Sequence, residues 1–325
     1  MTALKKISVY ILRGITLLIA VSVICFILVN ISPVDPVLSY RLANPGASPE
    51  HIARIESFWG VHESPIERYF NWVSAVLSGD FSESLIFRRP VIEIVGARFG
   101  ATLALMLSAW TLSGLFGFGV GSLMGIFHGR PIDRIVKRIC LVMYSLPTFW
   151  IGLVFLIVFS VWLGWFPFGM AMPIGIAAED VTIWQRLHHL VLPSVTISFL
   201  SFPNIALHTR EKLVEVMASD HVLFAKARGK SRWEILLRHG FRGTLIPAMT
   251  MQFASFGELF GGSIIAENIF GFPGLGSAVS AAGLQGDIPL LLGITLFSAI
   301  FIFTGNAIAN ALYIIIDPRT REGER

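Results

Sequence analysis

Apolar runs about twenty residues long recur along this chain at 9–31, 102–127, 139–163, 193–213, 246–266 and 288–316, separated by intervals rich in Lys, Arg, Pro and turn formers. An α-helix of ~20 residues rises about 30 Å, the thickness of a bilayer's hydrocarbon core, so the pattern predicts six transmembrane helices and an all-α integral membrane protein. The first run follows Lys5, Lys6 and Arg13, is longer than the apolar core of a signal peptide, and is trailed by Ser32-Pro33-Val34-Asp35-Pro36, which offers no small-x-small cleavage site. It is expected to stay as the first span.

The intervals set the organisation: 1–31 as tail and first span, 32–98 as an extracytoplasmic subdomain, and 99–325 as the core with a cytoplasmic segment at 214–245. The 32–98 stretch is polar and turn-rich yet carries Phe58, Trp59, Tyr69, Phe70 and Trp72, which predicts a small helical insertion lying against the membrane. Trp184-Gln185-Arg186-Leu187-His188-His189 reads as an amphipathic piece at the outer interface. Within the spans, Ser113, Gly117, Gly121 and Gly125 recur every four residues, aligning small side chains on one helical face where a second helix packs closely. Pro203, with Asn204 beside it, is expected to interrupt the fourth span. Ser145-Leu146-Pro147 should open the third. Broken helices in a membrane are tolerated against protein or a wet cavity, so both breaks point to a path.

Composition agrees: 54% hydrophobic and 14% charged residues, with mean hydropathy +0.71, exceed what a soluble domain could bury. The net charge of +4 does not indicate nucleic acid, because the basic residues sit in short clusters beside apolar runs. With the N-terminus inside, 18 of the 25 Lys and Arg fall on the cytoplasmic side, so both chain ends are expected there. Cys25 and Cys140 lie in or beside apolar runs without metal or redox spacing and read as packing residues.

No G-x-x-x-x-G-K-[ST] loop, Ser/His/Asp arrangement or H-E-x-x-H spacing occurs, so the chain is expected to be no enzyme, to bind no cofactor and to hydrolyse no ATP itself. Glu258 falls inside the fifth apolar run, where an ionised carboxylate costs about 2.5–3.5 kcal/mol against lipid and so should face a cavity or a partner. It either lines a solute path, favouring cations or metal-bearing solutes, or bonds a neighbouring helix. Asn204, His208 and Met251 are further path candidates, and His208 and Glu258 candidate metal contacts, although spacing closes no coordination set. Met249 and Met251 equally suit core packing. Adjacent His188 and His189 point about 100° apart on a helix and do not suit one ion.

The most telling interval is Val214 to Leu245. Ala225, Ala227 and Gly229 permit close backbone approach, an apolar ridge of Trp233, Ile235, Leu236 and Leu237 follows, Arg228, Arg232 and Arg238 rim it, and Pro247 opens the next span. Another protein pushing from the cytoplasm needs such a lever. Together with Leu12-Arg13, Leu77-x-Gly79-Asp80-Phe81-x-x-Ser84, Ser145-Leu146-Pro147-x-Phe149-Trp150, Glu267-Asn268-Ile269-Phe270-x-x-Pro273-Gly274-x-Gly276 and Asp317-Pro318-Arg319, this segment makes the chain resemble permease subunits of bacterial ABC importers of the dipeptide/oligopeptide/nickel family, over nearly its whole length. The resemblance implies a type I importer permease fold in the bacterial inner membrane, a homologous second permease, two ABC ATPase subunits carrying ATP and Mg, and an extracytoplasmic solute-binding protein. It implies that Ala225, Ala227, Gly229, Trp233, Ile235, Leu236, Arg238 and Pro247 couple to the ATPase. Leu223 departs from the acidic residue that opens this motif in many such permeases. Gly257-Glu258-Leu259 and Glu267-Asn268-Ile269-Phe270 resemble nickel-type members, which implies nickel or a metal chelate as solute, with peptides as the alternative. An ion-coupled secondary transporter would instead use Glu258 to carry protons, and an intramembrane enzyme would need a paired nucleophile and base.

Overall fold

A computed structural model of the chain describes residues 3–31, 36–43, 45–46, 48–50, 52–53, 56 and 63–316. Ser32-Pro33-Val34-Asp35, Phe58, Trp59 and Asp317-Pro318-Arg319 lie outside the described residues, as does the Arg232 side chain. The described residues are almost wholly helical: α1 Ala3–Ile31, α2 Pro36–Ala43, α3 Pro65–Leu77, α4 Val91–Ile126, α5 Pro131–Ser145, α6 Thr148–Phe155, α7 Ile183–Met217, α8 Asp220–Ala227, α9 Arg232–Ile235, α10 Phe241–Ala254, α11 Phe256–Ile269, α12 Leu275–Gln285 and α13 Ile288–Ile316. Widened π-helical turns extend α6 through Leu156–Trp162 and α9 through Leu236–Gly240.

Four described helices are long and apolar enough to cross a membrane, at Leu12–Ile31, Val91–Ile126, Ile183–Met217 and Ile288–Ala309. A fifth crossing is possible through α5 and α6, which pass the same length and composition test together but are bent by 107°. The physical cause of that elbow is Pro147: its ring forces Leu146 out of the helical region to ψ 136°, so the helix must stop there. Against the six spans expected from apolar runs, four or five of the described helices pass this test of length and composition. The run at 246–266 is divided at Ser255 between α10 and α11, helices of 14 residues each. Pro203 does not break its span either; α7 runs through both Pro193 and Pro203. Nor does Pro247 open a span, since α10 begins six residues earlier, at Phe241.

The chain folds as two compact units, residues 1–102 with 273–304 and residues 103–272 with 305–325. In the first, α3 is an amphipathic helix started by a capping box: Ser64 Oγ accepts from the Glu67 amide while Glu67 Oε2 accepts from the Ser64 amide at 3.1 Å. Its buried Trp72 and its Tyr69 pack on Phe26 of α1, with Phe26 and Tyr69 rings edge to face at 5.3 Å. The outer motif at Gly79–Ser84 turns on Gly79, whose φ of +89° disfavours a side chain, and on Asp80, which accepts from the Ser82 amide at 2.8 Å. Its last residue, Ser84, donates to buried Asp287, which also accepts from the amides of Ile86 at 3.0 Å and Leu290 at 3.2 Å. The insertion therefore does not stand alone: a carboxylate at the start of α13 holds it by hydrogen bonds.

In the second unit the small-residue stripe of α4 meets α7. A Cβ at Gly121 would lie 2.4 Å from the Ala206 carbonyl oxygen, at Gly117 2.7 Å from Ile205 Cγ2, and at Gly125 2.7 Å from Leu213 Cδ2. α7 stays helical through Pro203 on this closely packed stretch, where Pro203 itself is buried. Trp110 Nε1 donates to the Gln252 carbonyl at 2.9 Å while Gln252 Nε2 donates back to the Trp110 carbonyl, pinning α4 to α10.

Candidate functional site

The segment after Met217 folds as a short helix, a sharp stop and a second short helix. The stop is a Schellman turn: the Gly229 amide donates to the Lys226 carbonyl at 2.9 Å and the Lys230 amide to the Ala225 carbonyl at 3.2 Å, with Gly229 at φ +78°. Ala225 is buried, Ala227 is exposed, and nothing lies within 4 Å of where a Gly229 Cβ would be. Ser231 then caps the next helix by accepting from the Glu234 amide at 3.2 Å.

The expected apolar ridge is not one face. Ile235 and Leu236 are fully buried, Ile235 packing with Val222, Ala225 and Met217, whereas Trp233 and Leu237, one turn apart, are 65% and 61% exposed. The reason is helical geometry: consecutive residues diverge by about 100°, so four apolar residues within one stretch of five cannot share a face. Leu223 and Phe224 of α8 join the exposed set at 65% each. Sequence reading missed Phe224; the signal was a large aromatic next to Leu223, where the motif's acidic residue would stand. Arg238 is exposed and reaches Glu234 at 3.7 Å, a surface pair of small energetic weight. Pro247 lies inside α10, away from this surface in sequence.

Above this segment Asp133 and Arg210 form a buried ion pair that the apolar pattern did not reveal. Arg210 donates from Nε to Asp133 Oδ1 at 2.6 Å and from its terminal nitrogen to Oδ2 at 2.8 Å; the side chains are 12% and 2% exposed respectively. The Gly129 amide adds 2.9 Å to Oδ2, and His128 Nδ1 lies 3.1 Å from the same guanidinium. An arginine inside the Ile183–Met217 helix was the available signal. Beside it opens an apolar cavity of about 620 Å³ lined by Gly125, Phe127, His128, Val214, Met217 and Trp233.

The path candidates fall on α7, which carries Asn204 and His208, and on α10 and α11, which carry Met251 and Glu258 and run antiparallel to it. Gly243 faces Val216 and Gly262 faces Leu200, so rising numbers on α10 and α11 meet falling numbers on α7. One turn from the Leu200–Gly262 contact, this register sets Asn204 level with Glu258; a further turn inward sets His208 near the level of Ala254. Glu258 and His208 are exposed, Asn204 and Met251 half-buried. Glu258 also shares the outer face of α11 with Gly261, Ile265 and Asn268, all exposed at helical spacing. Among the described residues no three of His, Cys, Asp or Glu are grouped as a metal site. His188 and His189 are engaged separately, Nε2 of the first 2.8 Å from the Trp165 carbonyl and Nδ1 of the second 2.9 Å from that of Gly169, and so fasten the loop after Trp162.

Residues 117–322 match the family model described as binding-protein-dependent transport system inner membrane component. The chain is 30% identical over 309 residues to the oligopeptide transport system permease protein AppB of Bacillus subtilis (strain 168), covering 95% of this chain and 96% of that protein. To the glutathione transport system permease protein GsiC of Salmonella typhi it is 33% identical over 305 residues, 94% of each. Among solved structures it resembles the inward-facing MetNI methionine ABC transporter with a TM-score of 0.52 at 19% identity, over 69% of this chain and 96% of that one, a likeness of fold.

Proposed function

We propose, given that this chain belongs to the binding-protein-dependent transport system inner membrane components, that as an ABC importer permease subunit it carries short peptides. The observation behind the solute is that relatives 30–33% identical along about 95% of the chain are named for oligopeptides and for glutathione, itself a tripeptide. The expectation of nickel or a metal chelate, taken from two short motifs around Glu258 and Glu267, gives way to that near full-length likeness. The chain is a transport component; ATP hydrolysis belongs to two partner ATPases, with a second permease completing the path, a solute-binding protein delivering from outside, lipid around the spans and both chain ends in the cytoplasm.

In this reading the ATPase grips the exposed side chains of Leu223, Phe224, Trp233 and Leu237 around the Gly229 turn, where open space admits a partner's backbone. ATP favours one arrangement of the permease only by binding the corresponding ATPase state more tightly, and a shift from 1:99 to 99:1 takes about 5.5 kcal/mol. The solute passes along the seam of α7 with α10 and α11, past Asn204, His208, Met251 and Glu258.

Cells making the complete transporter should take up radiolabelled trialanine, and deleting this subunit should abolish that uptake while leaving radiolabelled nickel uptake unchanged; the reverse pattern would restore the metal reading. Glu258→Gln should lower trialanine uptake about tenfold, equivalent to roughly 1.4 kcal/mol, because the carboxylate is the counter-charge for the peptide's ammonium group. An unchanged rate and affinity in Glu258→Gln would take that residue off the path.

A further inference from the structure

The geometry points to Asp133 and Arg210 as positioning residues for energy transmission: a buried joint that makes the inner end of α7 and the first turn of α5 move together. The inference rests on the reading that an ATPase pushes on the segment after Met217. That segment hangs directly from α7, and Arg210 sits seven residues, about two turns, before the helix ends. Asp133 sits in the first turn of α5, whose other end is the 107° elbow at Leu146-Pro147. Helix α5 is thus a 15-residue lever with one end bonded to the root of the cytoplasmic segment and the other at a hinge.

Around Cys140 the contact between α5 and its neighbours is apolar, with Cys140 packed among Met124 and Ala206 and flanked by Val136 and Leu207. Apolar contact is non-directional and lets helices slide. A bidentate guanidinium–carboxylate pair fixes both distance and angle, and the Gly129 amide and His128 tie the preceding loop into the same knot. Stability alone does not account for such a pair: apolar side chains of similar volume often replace a buried ion pair without loss, whereas register is what its geometry supplies.

The test uses the complete transporter in liposomes with radiolabelled trialanine, comparing the parent with Arg210→Lys, Asp133→Asn and the apolar double variant Asp133→Leu with Arg210→Met. The variants should assemble and hydrolyse ATP, but peptide carried per ATP should fall between about twofold and about thirtyfold, the range by which residues along a coupling network alter the link between sites. The apolar double variant is decisive, because it should assemble like the parent and still transport poorly per ATP. If its ratio equals the parent's, or if every variant including Arg210→Lys fails to assemble, the pair is a structural element and the inference is overturned. A parent transporter that takes up no peptide on ATP sinks the importer reading instead, and this inference with it.

Discussion

Phe224→Asp combined with Leu237→Asp should strip the ATPase from the complex while leaving the amount of this chain in the membrane unchanged. Both side chains are more than 60% exposed, so the folded chain loses almost no burial when they become carboxylates. A partner groove that seats them loses two large apolar anchors and gains two charges it must desolvate. Truncating a central anchor costs 2 kcal/mol or more, which is roughly thirtyfold in affinity for each. Co-purification of tagged ATPase measures the effect, and undiminished retention would show that docking lies elsewhere. Ile235→Asp supplies the contrast. That side chain is fully buried against Val222, Ala225 and Met217, so an aspartate there should unfold the segment and lower the level of the chain itself.

Gly121→Leu should prevent the second unit from forming at all. A Cβ at this position would already stand 2.4 Å from the Ala206 carbonyl oxygen and 2.6 Å from Thr209 Cβ, and neither a backbone atom nor the first side-chain carbon can swing aside. Overpacking a tight site costs about 1–3 kcal/mol even where neighbours can relax, and here three more carbons would follow into the same gap. Membrane levels of Gly121→Leu should therefore fall at least tenfold, read by quantitative immunoblot of washed membranes. Gly119 is the control: it lies two residues away on the same helix with nothing within 4 Å of its would-be Cβ, so Gly119→Leu should accumulate normally. Equal levels of the two variants would mean that α4 and α7 do not meet along this stripe.

What the chain's pattern could and could not reveal follows from the range of the forces involved. Apolar runs, the small-residue stripe at Gly117–Gly125 and Pro147 as a break were legible because each depends on local geometry: helix period or fixed φ. The family followed from motifs strung along nearly the whole length. The lean toward nickel rested on a few residues around Glu258 and Glu267, which weigh little beside similarity over 94–95% of the chain to proteins named for oligopeptides and glutathione.

The same local rules misjudged Pro203 and Pro247, because propensity sets only a helix's intrinsic cost. α7 continues past Pro203, lying against α4 at Gly117 and Gly121. Likewise four neighbouring apolar residues, Trp233 with Ile235, Leu236 and Leu237, look alike in sequence; only the direction in which α9 leaves the Gly229 turn sorts them into core and surface. Beyond the reach of local rules are the partnerships of Asp133 with Arg210, 77 residues apart, and Ser84 with Asp287, 203 apart. By itself, then, the sequence determined that this is a helical membrane protein with a basic, partly apolar segment at 214–245. Tertiary structure alone decided which side chains that segment shows and what it is bonded to, because burial and charge pairing arise between residues that the chain order keeps far apart.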